Sequence, residues 1–420
     1  MTLKVQADRS RVRAERHSVR YVLLSFVAPE SPRASTREPV NVAFVIDRSG
    51  SMGGSKIRLA REAVIQALKM LRPADRFSLI SYDDRIDVLV PSTLAAAEAV
   101  RNATSQVEHL EARGSTDLGA GWLKGCEEVA QHLQRGQVSR CLLLSDGLAN
   151  HGITDRGELA RHAAALRERG ITTSTIGLGV DFDELTLESM ATAGSGHFYF
   201  VEAPIQIADC LAGELGEALE VVAHDATVIV HAGADTVVTT LNRFPVRQDA
   251  DGRVSVRLGD LASRQDVALV LRLKFPPGKI GTSVRAVFGV TDARGAISEP
   301  ETDFIWTYAD HAANEMQSRN VIVDRAVARL YAAQASAEAL ELNRARRFEE
   351  ATARLEVTAR RIERYAGVDP ELRAILESLR ERHDLYAQPM VAATSKAQYY
   401  ASMNMSRMRE SDGKARRRPT

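Results

Sequence analysis

Three short stretches of this 420-residue chain place oxygen-bearing side chains where they could converge on one point. The first is Asp47-Arg48-Ser49-Gly50-Ser51-Met52-Gly53-Gly54, in which alternate positions carry oxygen donors and the glycines let the backbone curl. The second is Gly114-Ser115-Thr116-Asp117-Leu118, opening a helical pattern, and the third is Ser145-Asp146-Gly147, closing an apolar run. Asp47, Ser49, Ser51, Thr116 and Asp146 together offer hydroxyls and carboxylates without His or Cys, a donor set that suits a hard cation. Mg2+ fits better than Ca2+, because its octahedron keeps several waters and needs few direct carboxylates; Mn2+ is its alternative. Hydroxyl ligands are neutral, so the ion stays electron-poor. The ligand such a site favours is a carboxylate from another molecule.

Rival chemistries use the same residues less well. Asp47-x-Ser49-x-Ser51 alone is also how an N-cap and a turn are built, and it is Thr116 and Asp146 that favour the metal. A Gly-rich turn between strand and helix describes a phosphate cradle too. Lys56, however, does not follow the G-x-x-x-x-G-K-[ST] pattern, and no ribose-binding acid stands out downstream. Ser49, His151 and Asp146 can be drawn as a triad, but a G-x-S-x-G elbow is missing. Metal-assisted hydrolysis needs a general base, and both nearby carboxylates are committed to the ion. The expectation is a binding protein and not an enzyme, with His151 in a loop over the site.

Those three stretches must be positioned by β/α units. From residue 40 to about residue 218, short apolar runs at 42–46, 77–81, 86–90, 141–144, 172–177 and 197–201 alternate with amphipathic patterns. The segment 56–71, with Ile57, Ala60, Val64, Leu68 and Leu71 on one face, is one such pattern. This is the signature of a mostly parallel, doubly wound sheet. Only four residues separate 77–81 from 86–90, too few for a parallel crossover, so these two form a hairpin. In such a sheet the crevice beyond the carboxyl ends of the strands is where loops meet. Asp83 and Asp84 are expected as a solvated hairpin turn, and Trp122 as a core residue.

The flanks differ. Residues 219–310 carry Val-rich alternating stretches spaced by turn residues, an antiparallel β-sandwich-like domain. Residues 1–38 hold one or two strands with too little apolar content for a core of their own, so they are expected to pair with that domain. Residues 311–387 read as long helices, with Pro370 at a helix start. Residues 388–420 read as a mostly disordered basic tail in which Tyr399, Tyr400, Met403, Met405 and Met408 are exposed.

Composition sets the remaining bounds. Lys and Arg number 55, as do Asp and Glu, and this neutrality argues against a dedicated nucleic-acid or membrane-surface protein. By segment the net charge is +4 over residues 1–39, −7 over 40–217, −2 over 218–310 and +5 over 311–420. The basic ends could therefore dock on the acidic central domain in self-association. Three cysteines, all in apolar periodic segments, read as reduced thiols of a cytoplasmic protein. No apolar run approaches the roughly 18 residues of a membrane span.

The stretches D-R-S-G-S-M, G-S-T-D-L and S-D-G-L-A-N resemble the metal-ion-dependent adhesion site of von Willebrand factor A (vWA) domains, over residues 39–218. The resemblance implies a Rossmann-like α/β fold. It also implies direct metal binding by Ser49, Ser51 and Thr116, with Asp47 and Asp146 close by or bridging through water. The flanking segments are similar to those of bacterial intracellular vWA proteins. The function this implies is that of a cytoplasmic scaffold, expected to bind a protein partner's Asp or Glu through Mg2+ or Mn2+. The alternative is a regulatory subunit of a larger machine such as an AAA+ ATPase of the chelatase or maturation type.

Overall fold

The computed structural model describes residues 2–31, 38–134, 137–233, 235–297 and 300–417. They form two compact units, one of Ser31–Val221 with Asp412–Lys414, the other of Met1–Glu30, Val222–Ser411 and Ala415–Thr420. Three strands come first in the chain, β1 (Lys4–Ala7), β2 (Arg11–Arg13) and β3 (Ser18–Val27); β1 pairs with β3, whereas the partner of β2 and the second partner of β3 come much later.

The α/β unit runs through β4 (Val40–Asp47), α1 (Ser55–Met70), β5 (Arg76–Tyr82), β6 (Ile86–Leu94), α2 (Ala97–Glu108), α3 (Leu118–Ala130) and β7 (Val138–Ser145). It continues through α4 (Arg156–Glu168), β8 (Ile171–Leu178), α5 (Glu184–Ala193), β9 (Ser195–Val201) and α6 (Ile207–Leu219). The sheet order is β6-β5-β4-β7-β8-β9, parallel except for the antiparallel β5–β6 hairpin. After β4 the chain first builds β5 on one side and later β7 on the other, so the topological switch lies at the carboxyl end of β4. This is where ligands of open α/β sheets bind.

Every residue of β4 is buried, because helices cover both faces of a parallel sheet and its central strands must be apolar throughout. Val42, Phe44 and Ile46 share a core with Ile57, Ala60, Val64 and Leu68 of α1 and with Leu211 and Leu215 of α6. Fully buried Trp122 belongs to α3. That helix lies unusually close to the sheet. A Cβ on Gly121 would fall 2.4 Å from Tyr82 Cγ, and one on Gly125 2.3 Å from Val45 Cγ2, so only glycine allows the approach.

α6 is tied to the middle of β7, β8 and β9 by Glu214, which has no exposed surface. Its carboxylate accepts from Ser174 Oγ at 2.6 Å, Tyr199 OH at 2.7 Å and His197 Nδ1 at 2.9 Å, and pairs with the buried Arg140. Burial acts to raise its pKa, but Arg140, His197 and the hydrogen bonds outweigh it and hold the pKa well below 4.5.

The second unit contains β1 to β3 with β10 (Val221–Ala232), β11 (Val237–Thr240), β12 (Val246–Gln248), β13 (Val254–Ala262), β14 (Asp266–Phe275), β15 (Ser283–Thr291) and β16 (Thr302–Ala309). Two sheets, ordered β1-β3-β14-β11 and β12-β13-β10-β15-β16-β2, enclose a core that includes Val22, Leu24, Phe26, Val228, Phe288 and Trp306. The helices α7 (His311–Glu315), α8 (Val321–Arg344), α9 (Phe348–Ala366), α10 (Pro370–Tyr386) and α11 (Ala392–Ser406) follow. Tyr21 and Leu23, on the other face of β3, pack with Val323, Val327 and Leu330 of α8. Side chains alternate across a strand, so both sets of β3 residues are buried, one in the sandwich and one beneath α8.

The tail differs from its sequence expectation. α11 occupies much of 388–420, with Tyr399, Tyr400 and Met403 buried, and it packs on α8. Arg344 stacks over the Tyr399 ring at 5.6 Å, and Asn242 Nδ2 donates to the Ser406 carbonyl at 3.2 Å. The apolar residues read as an exposed motif are what attaches the helix. Residues 418–420 lie outside the described residues.

The buried pair makes acid stability depend on Glu214. A carboxylate whose pKa is lowered by folding contributes stability above its unfolded value, and that contribution is lost as the pH falls through the folded one. Glu214→Gln leaves Arg140 buried without a counter-charge and is expected to cost about 3–5 kcal/mol at neutral pH. Urea midpoints measured against pH should show the two proteins converging as the pH drops below 4.5.

Candidate metal-binding site

The five donors read from the sequence sit on three loops at the carboxyl ends of β4 and β7 and at the start of α3. Asp47 is the last residue of β4, and Gly50–Met52 form a single 3-10 turn before α1. Ser49 Oγ and Ser51 Oγ are 3.1 Å apart, and Ser51 Oγ donates to Asp146 Oδ1 at 2.7 Å. A methyl group placed on Gly147 would lie 3.3 Å from Thr116 Oγ1 and 3.7 Å from Ser51 Oγ, so both hydroxyls face the same point of the third loop. Asp47 stands one step behind. Its Oδ1 accepts from the Ser49 amide at 2.8 Å and its Oδ2 from Ser145 Oγ at 2.7 Å, with Tyr82 OH 3.4 Å away.

Asp47 and Asp146 are fully buried, and Ser49 and Thr116 nearly so. Burial raises the Asp47 pKa; the Ser49 and Ser145 hydrogen bonds oppose this, while the Asp146 charge adds to it. A buried carboxylate beside a second one is a place where a cation relieves both desolvation and repulsion. The chemistry of the donors fits Mg2+ or Mn2+: oxygen only, hydroxyl-rich, without imidazole or thiolate. Among the described residues no group of three or more His, Cys, Asp or Glu gathers to hold a metal. A site for a soft or borderline ion would need such a group.

Several residues around the donors escaped sequence reading. Asn150 Oδ1 accepts from the Thr116 amide at 3.1 Å, joining the second and third loops. Lys56 Nζ lies 2.5 Å from Asp146 Oδ2. Asp83 is buried, contrary to its expectation as a solvated turn residue. It accepts from Arg113 Nε at 2.6 Å and from the Arg85 amide at 2.7 Å, while Arg113 Nη2 reaches Asp87 at 2.8 Å. The backbone completes this latch. The Arg113 amide donates to the Arg48 carbonyl at 2.7 Å, the Gly50 amide to the Gly114 carbonyl at 3.1 Å, and the Asp117 amide to the Asp83 carbonyl at 2.8 Å. Gly114 has φ +71°, and a Cβ there would fall 2.4 Å from Asp84 Oδ1. The first donor loop, the second donor loop and the β5–β6 turn are thus one hydrogen-bonded body.

His151 is exposed, and its Nδ1 lies 3.1 Å from Asp117 Oδ2, the carboxylate that also caps α3 through the Ala120 amide. Asp146 is engaged by Ser51 and Lys56. A relay from Ser49 through His151 to Asp146 is therefore not what these hydrogen bonds build.

A doubly wound α/β domain whose donor loops meet at the switch point of its sheet is the class defined by this fold and site. Residues 41–212 match the family profile of the von Willebrand factor type A domain, and the chain carries that domain, a known protein-interaction module. The chain is 25% identical over 272 residues to Uncharacterized protein YfbK of Escherichia coli (strain K12), covering 63% of this chain and 47% of that protein. It is 33% identical over 177 residues to Inter-alpha-trypsin inhibitor heavy chain H4 of Homo sapiens, covering 41% of this chain and 19% of that protein. The chain thus spans less than half the length of these curated relatives. Among solved structures, von Willebrand factor type A from Catenulispora acidiphila aligns with a TM-score of 0.69 at 19% identity, over 95% of this chain and 89% of that one. The ArnB paralog VWA2 from Sulfolobus acidocaldarius aligns with a TM-score of 0.61 at 16% identity, over 96% and 98%. Both share the fold across nearly the whole chain.

The latch accounts for how the Thr116 loop is held. Asp83→Ala is expected to speed amide exchange across residues 111–117 about tenfold or more, as local opening becomes easier, while β4 amides keep their protection. Hydrogen exchange read by mass spectrometry checks this, and equal acceleration in both segments would mean that Asp83 supports the whole unit instead of the loop.

Proposed function

We propose that the vWA domain is a metal-dependent protein-binding module, cytoplasmic and non-enzymatic, that captures an Asp or Glu side chain of a protein partner. The observation that carries this reading is the convergence of Ser49, Ser51 and Asp146 within 3.1 Å and 2.7 Å of one another, with Thr116 facing the same point, at the switch point of the sheet. Ser49, Ser51 and Thr116 would hold Mg2+ or Mn2+, and the bound ion would supply an open coordination position for a carboxylate. Asp47 and Asp146 orient the serine groups through the contacts described above and balance the charge. Cys126, Cys141 and Cys210 are free, which supports a reducing compartment. Among the described residues no helix is long and apolar enough to cross a membrane.

Mn2+ titration followed by electron paramagnetic resonance is expected to show one saturable site. Asp47→Ala or Ser49→Ala should weaken it by more than about tenfold, the loss of a charge-assisted or ligand contact in a buried site. In pull-downs with wild-type bait, EDTA should release the partners that depend on the site. Partners that stay bound both in EDTA and to the Asp47→Ala bait would overturn the reading.

A further inference from the structure

Lys56 occupies a position that helix electrostatics disfavours. It lies in the first turn of α1, which carries no acidic residue, whereas the amino end of a helix favours negative charge and repels positive. What holds it there is Asp146. The Lys56 ammonium lies 2.5 Å from Asp146 Oδ2, the same carboxylate whose Oδ1 accepts from Ser51 Oγ at 2.7 Å. Opposite, at the end of β8, a Cβ on Gly179 would lie 3.5 Å from Lys56 Cε and 3.6 Å from its Nζ. The ammonium thus sits in a slot between a buried carboxylate and glycine backbone, with 22% of its side chain exposed.

We infer that Lys56 is a resident counter-charge that sets which cation the site accepts and how strongly the bound cation attracts a carboxylate. The inference rests on the metal-dependent reading above. Its position has two consequences. An ammonium held against Asp146 Oδ2 repels a cation approaching that oxygen, so bidentate chelation by Asp146 is disfavoured and the cation meets the carboxylate from its Oδ1 side. Ca2+ gains from bidentate carboxylates, while Mg2+ takes single oxygens and keeps its waters, so the arrangement favours Mg2+ and Mn2+ over Ca2+. The second consequence is one of charge. Two carboxylates and one ammonium leave a single negative charge, so a divalent ion makes the loaded site net positive; without Lys56 the loaded site would be neutral. Lys56 therefore weakens cation binding and strengthens capture of the partner's carboxylate, two effects of opposite sign from one side chain.

The test uses the full chain with Lys56→Gln, Lys56→Met and the charge-retaining Lys56→Arg, each checked for fold by circular dichroism and urea midpoint. Two neutral variants keep the result readable if one fails to fold. Mn2+ affinity is read by electron paramagnetic resonance, Ca2+ by its competition with Mn2+, and carboxylate capture by acetate displacing bound water in proton relaxation of the Mn2+-loaded protein. Removing a like charge a few ångströms from a divalent ion is expected to tighten Mn2+ binding about tenfold. Ca2+ affinity should gain more than Mn2+ affinity, and the acetate concentration for half-effect should rise several-fold. Lys56→Arg should stay within about twofold of wild type for Mn2+, because the charge is kept. Folded neutral variants whose Mn2+ affinity is unchanged or weaker, or whose acetate response matches wild type, would overturn the assignment while leaving the metal site intact. Wild-type protein that binds no Mn2+ would overturn the metal-dependent reading itself, and this inference with it.

Discussion

Asp47 closes a strand that is buried along its whole length, and its carboxylate has no exposed surface. Keeping a carboxylate in that position is costly unless nearly every lone pair is occupied. The Ser49 amide and Ser145 hydroxyl both donate to it, and in doing so fix the first turn of one loop and the entry to another. The β4 register carries the same constraint. Asp47 must be the residue that emerges at the switch point, because a slip by one position would put it on the other face of a two-sided core.

The placement of the surrounding helices depends on this. α3 begins at the loop bearing Thr116 and approaches the sheet closely along Gly121 and Gly125. A bulkier residue at either position would push the helix outward and carry the Thr116 loop with it. α1 begins just after Ser51 and seals the other face through Ile57, Val64 and Leu68. The donors are thus placed by the packing of two helices on opposite faces of one strand, and the hydrogen bonds between the loops set their final spacing.

That Asp47, Ser49, Ser51, Thr116 and Asp146 come together was legible in the sequence because their pattern is local: the first three alternate within five residues, and Thr116 and Asp146 each mark a change of periodicity. The residues that support them were not legible, because their partners are remote. Ser145 reaches Asp47 across 98 positions, Lys56 reaches Asp146 across 90 and Arg113 reaches Asp83 across 30. Asp83 reads as a turn residue since turns favour Asp, and only the fold brings Arg113 over it. In the second unit, the long Val-rich strands show clear periodicity, whereas β2 and β12 are three residues each and too short to show any. α11 was missed for another reason. Its apolar residues do not follow a helical stripe, and its burial depends on a surface of α8 that exists only after folding.

The pairing of β3 with β14 joins residues 18–27 to residues 266–275, with the entire α/β unit between them. A ribosome emits the amino end first, so β3, apolar on both faces, has only the four-residue β1 as a native partner on one edge, and its other edge must wait until β14 has been made. The α/β unit is complete by then, and each of its parallel neighbours lies closer in sequence. Loop closure becomes entropically cheaper when the intervening segment is already compact. The order of synthesis therefore has the inserted unit folding before the sandwich that brackets it, and β3 is the segment most exposed to wrong pairing in the interval.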